Sequence, residues 1–426
     1  MALNLNYLRT RQLVDPEDRG PLRAMFITTS MPVGGAETLL VNLLRRFDRS
    51  VIRPELVCLK ELGPLGESLS GEIPTFQQLI RGKYDLRVLW RLIELLDERR
   101  TDAVVTVGAG DKMFWGRLAA AMARVPVICS ALHSTGWPDG VGRVNRCLTP
   151  WTDALIGVAR SHGEYLVRGE RFPAEKVIVI PNGVDTDRFA PNPARRRGLR
   201  NQLGWEDECP LVGIVAALRP EKNHELFLEV AQRVVEALPE ARFVVVGDGP
   251  RRAALEQLSL DLGLTGRVRF MGTRTDTFSI LAGLDVFLLT SRNEASPVSI
   301  LEALACEVPV VATDVGSVRE SVIPDSTGLL APSGDADALA QSVLRLLINP
   351  LLRTSMGQAG RMLVQQTGSL QQMVDGYQQL IVDIYRRKCR PAWSAQPDRP
   401  RTDRSRGRAS TTGEPTGEPP ESPAGT

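Results

Sequence analysis

The sequence predicts an α/β protein built from two open parallel-sheet domains. Three observations carry that expectation. Apolar runs of strand length alternate with runs of helical period, a polar Pro- and Arg-rich stretch interrupts the alternation near residues 187–210, and the same grammar resumes beyond it. Strands separated by helices pair in parallel, and both faces of such a sheet are covered. A chain of 426 residues is also too long for one ordinary core.

The elements follow in order. In the first half, Met25 to Thr28, Glu55 to Leu59, Ala103 to Val107, Val127 to Ser130 and Ala154 to Val158 read as strands. Between them lie helical stretches such as Leu86 to Leu96. In the second half, Leu211 to Val215, Phe243 to Val246, Val268 to Phe270, Val286 to Leu289 and Pro309 to Ala312 read as strands. His224 to Leu238 and Arg251 to Leu262 read as helices there, and Leu370 to Arg387 as the last helix. The resulting plan is an N-terminal tail 1–22, a first domain 23–190, a linker 191–210 with room for one short helix, a second domain 211–369, a C-terminal helix 370–388 packing back on the first domain, and a disordered tail 389–426 rich in Pro, Arg, Ser and Gly.

Composition narrows the function classes. The chain is 43% apolar and 24% charged with a net charge of +2, which gives no electrostatic reason for a nucleic-acid partner. Six scattered cysteines without a CxxC pair suggest neither disulfides nor zinc, and point to a reducing, cytoplasmic setting. With three histidines and no carboxylate triad, a metal site is not expected. No apolar run reaches the ~18 residues of a membrane span, and residues 1–23 lack the apolar core of a signal peptide.

The most informative segment is Glu294-Ala295-Ser296-Pro297-Val298-Ser299-Ile300-Leu301-Glu302, which follows a strand and opens a helix. Carboxyl ends of strands are where open α/β sheets bind ligands. Ser296 is expected to cap the helix and Pro297 to sit in its first turn, leaving backbone N–H groups to face an anion. Arg219 and Lys222, in Arg219-Pro220-Glu221-Lys222-Asn223-His224, place two cations between a strand and a helix start, which suits phosphate. Gly247-Asp248-Gly249-Pro250 begins like a dinucleotide fingerprint, but Arg252 stands at its third glycine, so a tight turn approaching a ligand is the better reading and a nicotinamide oxidoreductase the poorer one. Gly34-Gly35 is open to two readings, close backbone approach to a ligand or an ordinary strand–helix turn. His133, at a strand end, suits either a sugar hydroxyl or a structural hydrogen bond. His162 and His224 read as structural. Trp137 suits stacking or packing, and Asp111 a cap or the acceptor side.

Taken together, these residues resemble the retaining glycosyltransferases of family four, the group 1 glycosyltransferases. The resemblance runs from about Arg23 to Arg387. It is carried by Ile180-Pro181-Asn182-Gly183-Val184-Asp185, Arg219 to Lys222, Gly247-Asp248-Gly249, and the block from Ser291 to Gly316. It implies the GT-B architecture, two Rossmann-like domains facing across a cleft. It further implies transfer of a hexosyl or related sugar from a nucleotide-diphosphate donor to an acceptor hydroxyl (EC 2.4), without metal or other cofactor. By the same resemblance, Arg219 and Lys222 hold the diphosphate, Glu294 faces the reacting sugar, and Glu302 takes the ribose hydroxyls. Ser296, Pro297, Val298 and Ser299 line sugar and phosphate, Gly35, Gly247 and Gly249 admit the donor, and His133 sits beside sugar and acceptor.

The implied acceptor is a glycan or lipid-linked molecule of bacterial surface polysaccharide or glycolipid synthesis at the cytoplasmic membrane face. Leu39 to Arg46 and Phe114 to Arg124 fit either peripheral membrane contact or packing on the sheet, and packing is preferred. The alternative is a catalytically lapsed sugar-nucleotide-binding protein, against which the intact Glu294, Glu302, Arg219 and Lys222 weigh. The chain departs from the family at Ala295-Ser296, where Gly-Phe or Gly-Ser is frequent, and at Glu307, where Gly is usual.

Overall fold

A computed structural model describes residues 13–82, 85–108, 111–133 and 145–389, without the side chains of 111–113. The expectations for residues 1–12, the Asp111 side chain, Trp137 and the tail from 390 lie outside the described residues.

Two parallel sheets form the molecule. The first contains β1 (Leu22–Thr28), β2 (Ile52–Cys58), β3 (Thr75–Phe76), β4 (Ala103–Val107), β5 (Val127–Ala131), β6 (Ala154–Gly157) and β7 (Val177–Val179), in the order β3-β2-β1-β4-β5-β6-β7. The second contains β8 (Leu211–Val215), β9 (Arg242–Val246), β10 (Val268–Gly272), β11 (Val286–Leu289), β12 (Val310–Thr313) and β13 (Gly328–Ala331), in the order β10-β9-β8-β11-β12-β13. Both are doubly wound, with the order reversing between β1 and β4 and between β8 and β11. Central strands are buried on both faces, Ala103–Val107 and Val286–Leu289 along their whole lengths, which is why they read as nearly continuous apolar runs.

The chain crosses between the lobes twice, and the crossings run side by side. Val184 N donates to Gly368 O at 2.9 Å, and Leu370 N to Val184 O at 3.0 Å. Gly183 is needed for this approach, since a Cβ there would stand 2.4 Å from Ser369 O and 2.7 Å from Leu370 Cα. Beyond the second crossing, helix Leu370–Cys389 returns to the first lobe, where Leu370, Met373, Val374, Tyr377 and Ile381 join its core. Helix Gly35–Arg46 buries Leu39, Leu40, Val41, Leu43 and Leu44 in the same core, so its apolar stripe is used for packing. Among the described residues, no helix is long and apolar enough to cross a membrane.

One segment differs from expectation. Residues 13–22 are not simply a tail: a turn of helix, Pro16–Arg19, is capped by Asp15, and Arg19 reaches Asp102 at 2.5 Å and Tyr385 at 2.9 Å. A carboxylate and a phenol hydroxyl from distant parts of the chain outweigh the polar local composition. The linker 191–210 holds one short helix, as its sequence allows. Asn192 caps helix Pro193–Leu203 by accepting from Ala194 N and Arg195 N, and Gly204 ends it in the left-handed conformation.

The helix Pro193–Leu203 is anchored by Arg200, which is fully buried and bonds Asp285 (2.8 Å), Gly283 O (2.6 Å) and Cys209 O (3.1 Å). Asp285 also takes Arg196 at 2.8 Å and Leu211 N at 2.9 Å. Removing one partner of a buried pair leaves the other charge uncompensated. Asp285→Ala is therefore expected to cost about 3–5 kcal/mol, read as a lower midpoint in urea unfolding with an unchanged slope.

Candidate active site

In the second lobe, the strand order reverses between β8 and β11, and a doubly wound sheet opens its crevice at that point. The loops leaving these two strands carry Arg219, Lys222 and Glu294. The β8 loop ends in a 3₁₀ turn, Pro220–Lys222, closed by Asn223 in the left-handed conformation. It is laced to the β11 loop by Arg292 N donating to Glu221 O at 2.8 Å and Thr290 Oγ1 donating to Asn223 O at 2.9 Å.

At the centre, Lys222 Nζ lies 2.6 Å from Glu294 Oε1, and Ser291 Oγ donates to the same oxygen at 2.6 Å. The Glu294 side chain is only 7% exposed, so this pairing compensates a charge that water barely reaches. Arg219, immediately before the 3₁₀ turn of the β8 loop, is exposed. The structure thus joins Lys222 to Glu294, two residues 72 positions apart.

The helix after this loop is Val298–Ala305, and its start corrects one expectation. Pro297 stands at the N-cap and Ser296 makes no side-chain cap. The Ser296 carbonyl is instead taken by Asn182 Nδ2 at 3.1 Å. The first helical N–H groups therefore remain without a side-chain cap, as an anion site at a helix start requires. Val298 packs against the first-lobe core, and a Cβ on Gly35 would meet it at 4.0 Å, an ordinary contact. Gly35 and the start of this helix thus face each other across the cleft. Ser299 lies in the first turn and Glu302 one turn on. Desolvation pushes the Glu302 carboxyl up to about 8, against the pull of Arg188.

Gly247 and Gly249 meet a requirement inside the protein itself. Their φ values are +136° and +159°, and added Cβ atoms would stand 2.0 Å from Ala216 O and 2.6 Å from Leu218 O. The backbone they admit is the protein's own β8 loop, which leads to Arg219. His133 lies in the first lobe, lining a shallow pocket with Ala36, Leu39, Val107, Met373 and Tyr377. His224 is 1% exposed, and burial pushes it down to about 4, so it is neutral and suited to a structural part.

The sequence reading missed the supports behind Glu294. Ser317 N donates to Glu294 O at 3.1 Å, Ser317 Oγ to Ala295 O at 2.5 Å, and Thr313 Oγ1 to Ser291 O at 2.6 Å. Gly316, at φ +52°, leaves no room for a side chain, because its Cβ would stand 1.9 Å from Glu294 O. The available signal was a glycine and a serine just beyond the end of β12. At the other end of helix Val298–Ala305, Glu307 adopts φ +60° just past the C-cap Cys306. Glycine is preferred there, and Glu307→Gly is expected to stabilise the protein by about 0.5–1 kcal/mol, read as a higher thermal midpoint.

With this geometry in view, comparison with known proteins is decisive. The Glycosyltransferase Family 4 model matches residues 33–188 and the Glycosyl transferases group 1 model residues 195–362, one to each lobe. The chain belongs to the family-four, group 1 glycosyltransferases. The family's GT-B fold is the one seen here, and Anabaena HepE, solved in complex with UDP-glucose, superposes with a TM-score of 0.73 at 22% identity over 85% of this chain and 98% of its own. Among curated relatives, the UDP-Gal:alpha-D-GlcNAc-diphosphoundecaprenol alpha-1,3-galactosyltransferase of Escherichia coli is 28% identical over 70% of this chain and 80% of its own length. A GDP-mannose-dependent monoacylated alpha-(1-6)-phosphatidylinositol monomannoside mannosyltransferase of Corynebacterium glutamicum is 33% identical over 43% of this chain and 50% of its own. This glycosyltransferase therefore has relatives named for different donor bases and different acceptors.

Proposed function

We propose that the chain transfers a hexose or related sugar, with retention at the anomeric carbon and without metal, from a nucleotide-diphosphate sugar to an acceptor hydroxyl. The observation that carries the reading is the Lys222–Glu294 pair at the β8/β11 crevice, beside the uncapped start of helix Val298–Ala305. Breaking the anomeric C–O bond gathers negative charge on the departing diphosphate. Fixed positive charge is the catalyst that step needs. Lys222, Arg219 and the helix start supply it, and at an effective dielectric of ~20 a charge pair near 4 Å is worth about 4 kcal/mol before desolvation. So good a leaving group needs no general acid. Glu294, fixed by Lys222 and Ser291, faces the sugar, and the leaving phosphate takes the acceptor proton in a front-face displacement. Closure of the lobes limits loss of donor to water.

The acceptor assigned here is a glycan or lipid-linked molecule of surface polysaccharide or glycolipid synthesis, reached at the cytoplasmic face of the membrane. The names of the Escherichia coli and Corynebacterium relatives support that choice. All six cysteines are free, which supports a reducing compartment. The test is a thermal-shift panel of UDP- and GDP-sugars, then release of nucleotide from the best binder with and without a polyprenyl-diphosphate sugar. NMR of the product reads the anomeric configuration. A stabilising donor that is never turned over would instead select the lapsed alternative.

Glu302 gives this reading a pH signature. Its raised pKa means that the folded chain holds a proton the unfolded chain releases. That contribution to stability is complete below the ordinary glutamate range and is lost as pH rises through about 8. A carboxylate accepting both ribose hydroxyls must be ionised, so nucleotide binding near neutrality is expected to release a proton and to tighten as pH rises towards that value. Calorimetry in buffers of different ionisation enthalpy measures the release, and Glu302→Gln is expected to abolish it.

A further inference from the structure

Helix Arg160–Arg168 of the first lobe begins without a cap of its own, because Ala159 stands at its N-cap. Its leading N–H groups, at the positive end of the helix dipole, would be left to water. The second lobe supplies the acceptor. Glu320 Oε2 accepts from Arg160 N at 2.7 Å, and Oε1 accepts from Ser161 N at 2.7 Å and Ser161 Oγ at 2.5 Å. One carboxylate thus caps a helix 160 residues away, using both oxygens.

Glu320 is also tied to the candidate site. It lies on the short helix Val318–Ser321, and its N–H bonds Ser317 O at 2.9 Å. Ser317 is the residue that grips the backbone of Glu294 and Ala295. The first lobe holds the next residue of the same loop, where Asn182 Nδ2 donates to Ser296 O. The loop carrying Glu294 is thereby held at three successive residues by groups whose own fixed points lie in, or lead to, the first lobe.

We propose that Glu320 is a positioning residue that couples lobe closure to the donor site: its carboxylate docks on the start of helix Arg160–Arg168 when the lobes meet and, through Ser317, sets the Glu294–Ser296 loop for the donor sugar. The contact is exposed, so water can replace each partner when the lobes part. Such a contact adds little to global stability and acts mainly on the position of one lobe against the other. Its catalytic consequence rests on the function proposed above, whereas the docking itself does not.

Hydrogen–deuterium exchange of the full chain tests the docking without any substrate. In Glu320→Ala the amides of Arg160 and Ser161 are expected to exchange about 10-fold faster, on the scale of losing a hydrogen bond to a charged group. Glu320→Gln, which keeps one acceptor oxygen and the shape, falls between, and amides of Leu211–Val215 are unchanged. Once a donor is found, kcat in Glu320→Ala is expected to drop about 10-fold while the nucleotide Kd stays within about twofold. Unchanged protection at Arg160 and Ser161 would overturn the docking. Lost protection with wild-type kcat would overturn the coupling. If the wild-type protein turns over no nucleotide sugar, the proposed function fails, and the exchange data still decide the docking.

Discussion

Lys222→Ala is expected to lower turnover by about 100-fold or more, the scale of removing one preorganised charge from a transition state. The substitution acts twice. It takes positive charge from the departing diphosphate, and it strips Glu294 of its partner at 2.6 Å, leaving Ser291, among the described residues, on that oxygen. The second effect costs stability, about 1–3 kcal/mol for a buried acceptor that loses a charged donor, so turnover must be compared with the thermal midpoint of the same variant. Lys222→Arg restores the charge on a bulkier, forked group and is expected to recover only part of the rate. A folded Lys222→Ala protein with near-normal turnover would remove Lys222 from the catalytic assignment.

The second large effect is expected at a residue with no functional group. Gly316→Ala places a methyl 1.9 Å from Glu294 O, on a backbone at φ +52°. Neither strain can be relieved by a rotamer change, because the obstructing atom is main chain. The loop must move, and it carries Glu294, Ala295 and the carbonyl held by Ser317 Oγ. A loss of about 100-fold in kcat is expected, since displacing a positioned group by about 1 Å can cost that much. Ser317→Ala, which removes one bond and adds no atom, is expected to lose less. Activity in Gly316→Ala equal to wild type would show that the position of this loop is not limiting.

Much of the fold was legible because its central strands are buried on both faces. Ala103–Val107 and Val286–Leu289 announce themselves as apolar runs. The strands left unread were β3, β7 and β13, each at a sheet edge with a single neighbour. An edge strand buries less, so two residues such as Thr75–Phe76 carry no period to detect. In the site, Arg219, Lys222 and Glu294 were visible as charged groups at strand ends, and Glu302 as a carboxylate on the helix that follows. What local sequence could not supply was their support. Asn182, Ser317 and Glu320 act across 114, 22 and 160 residues respectively. Ser296 has the ordinary look of a helix cap, yet the loop is already fixed through its carbonyl. Gly247 and Gly249 look like ligand glycines, and only the fold shows that the atoms they admit belong to Ala216 and Leu218.

The double crossing beside Gly183 has a consequence for how the chain is made. The first lobe is not finished by its own first 180 or so residues, since Met373, Val374, Tyr377 and Ile381 complete its core from helix Leu370–Cys389. Domains ordinarily fold in the order they leave the ribosome. Here the lobe synthesised first keeps an apolar seam open while the whole second lobe is translated, and only the second can close on contiguous sequence. A stop codon just before Leu370 would therefore damage the lobe farthest from it in the message, and both lobes become complete only once helix Leu370–Cys389 has been made.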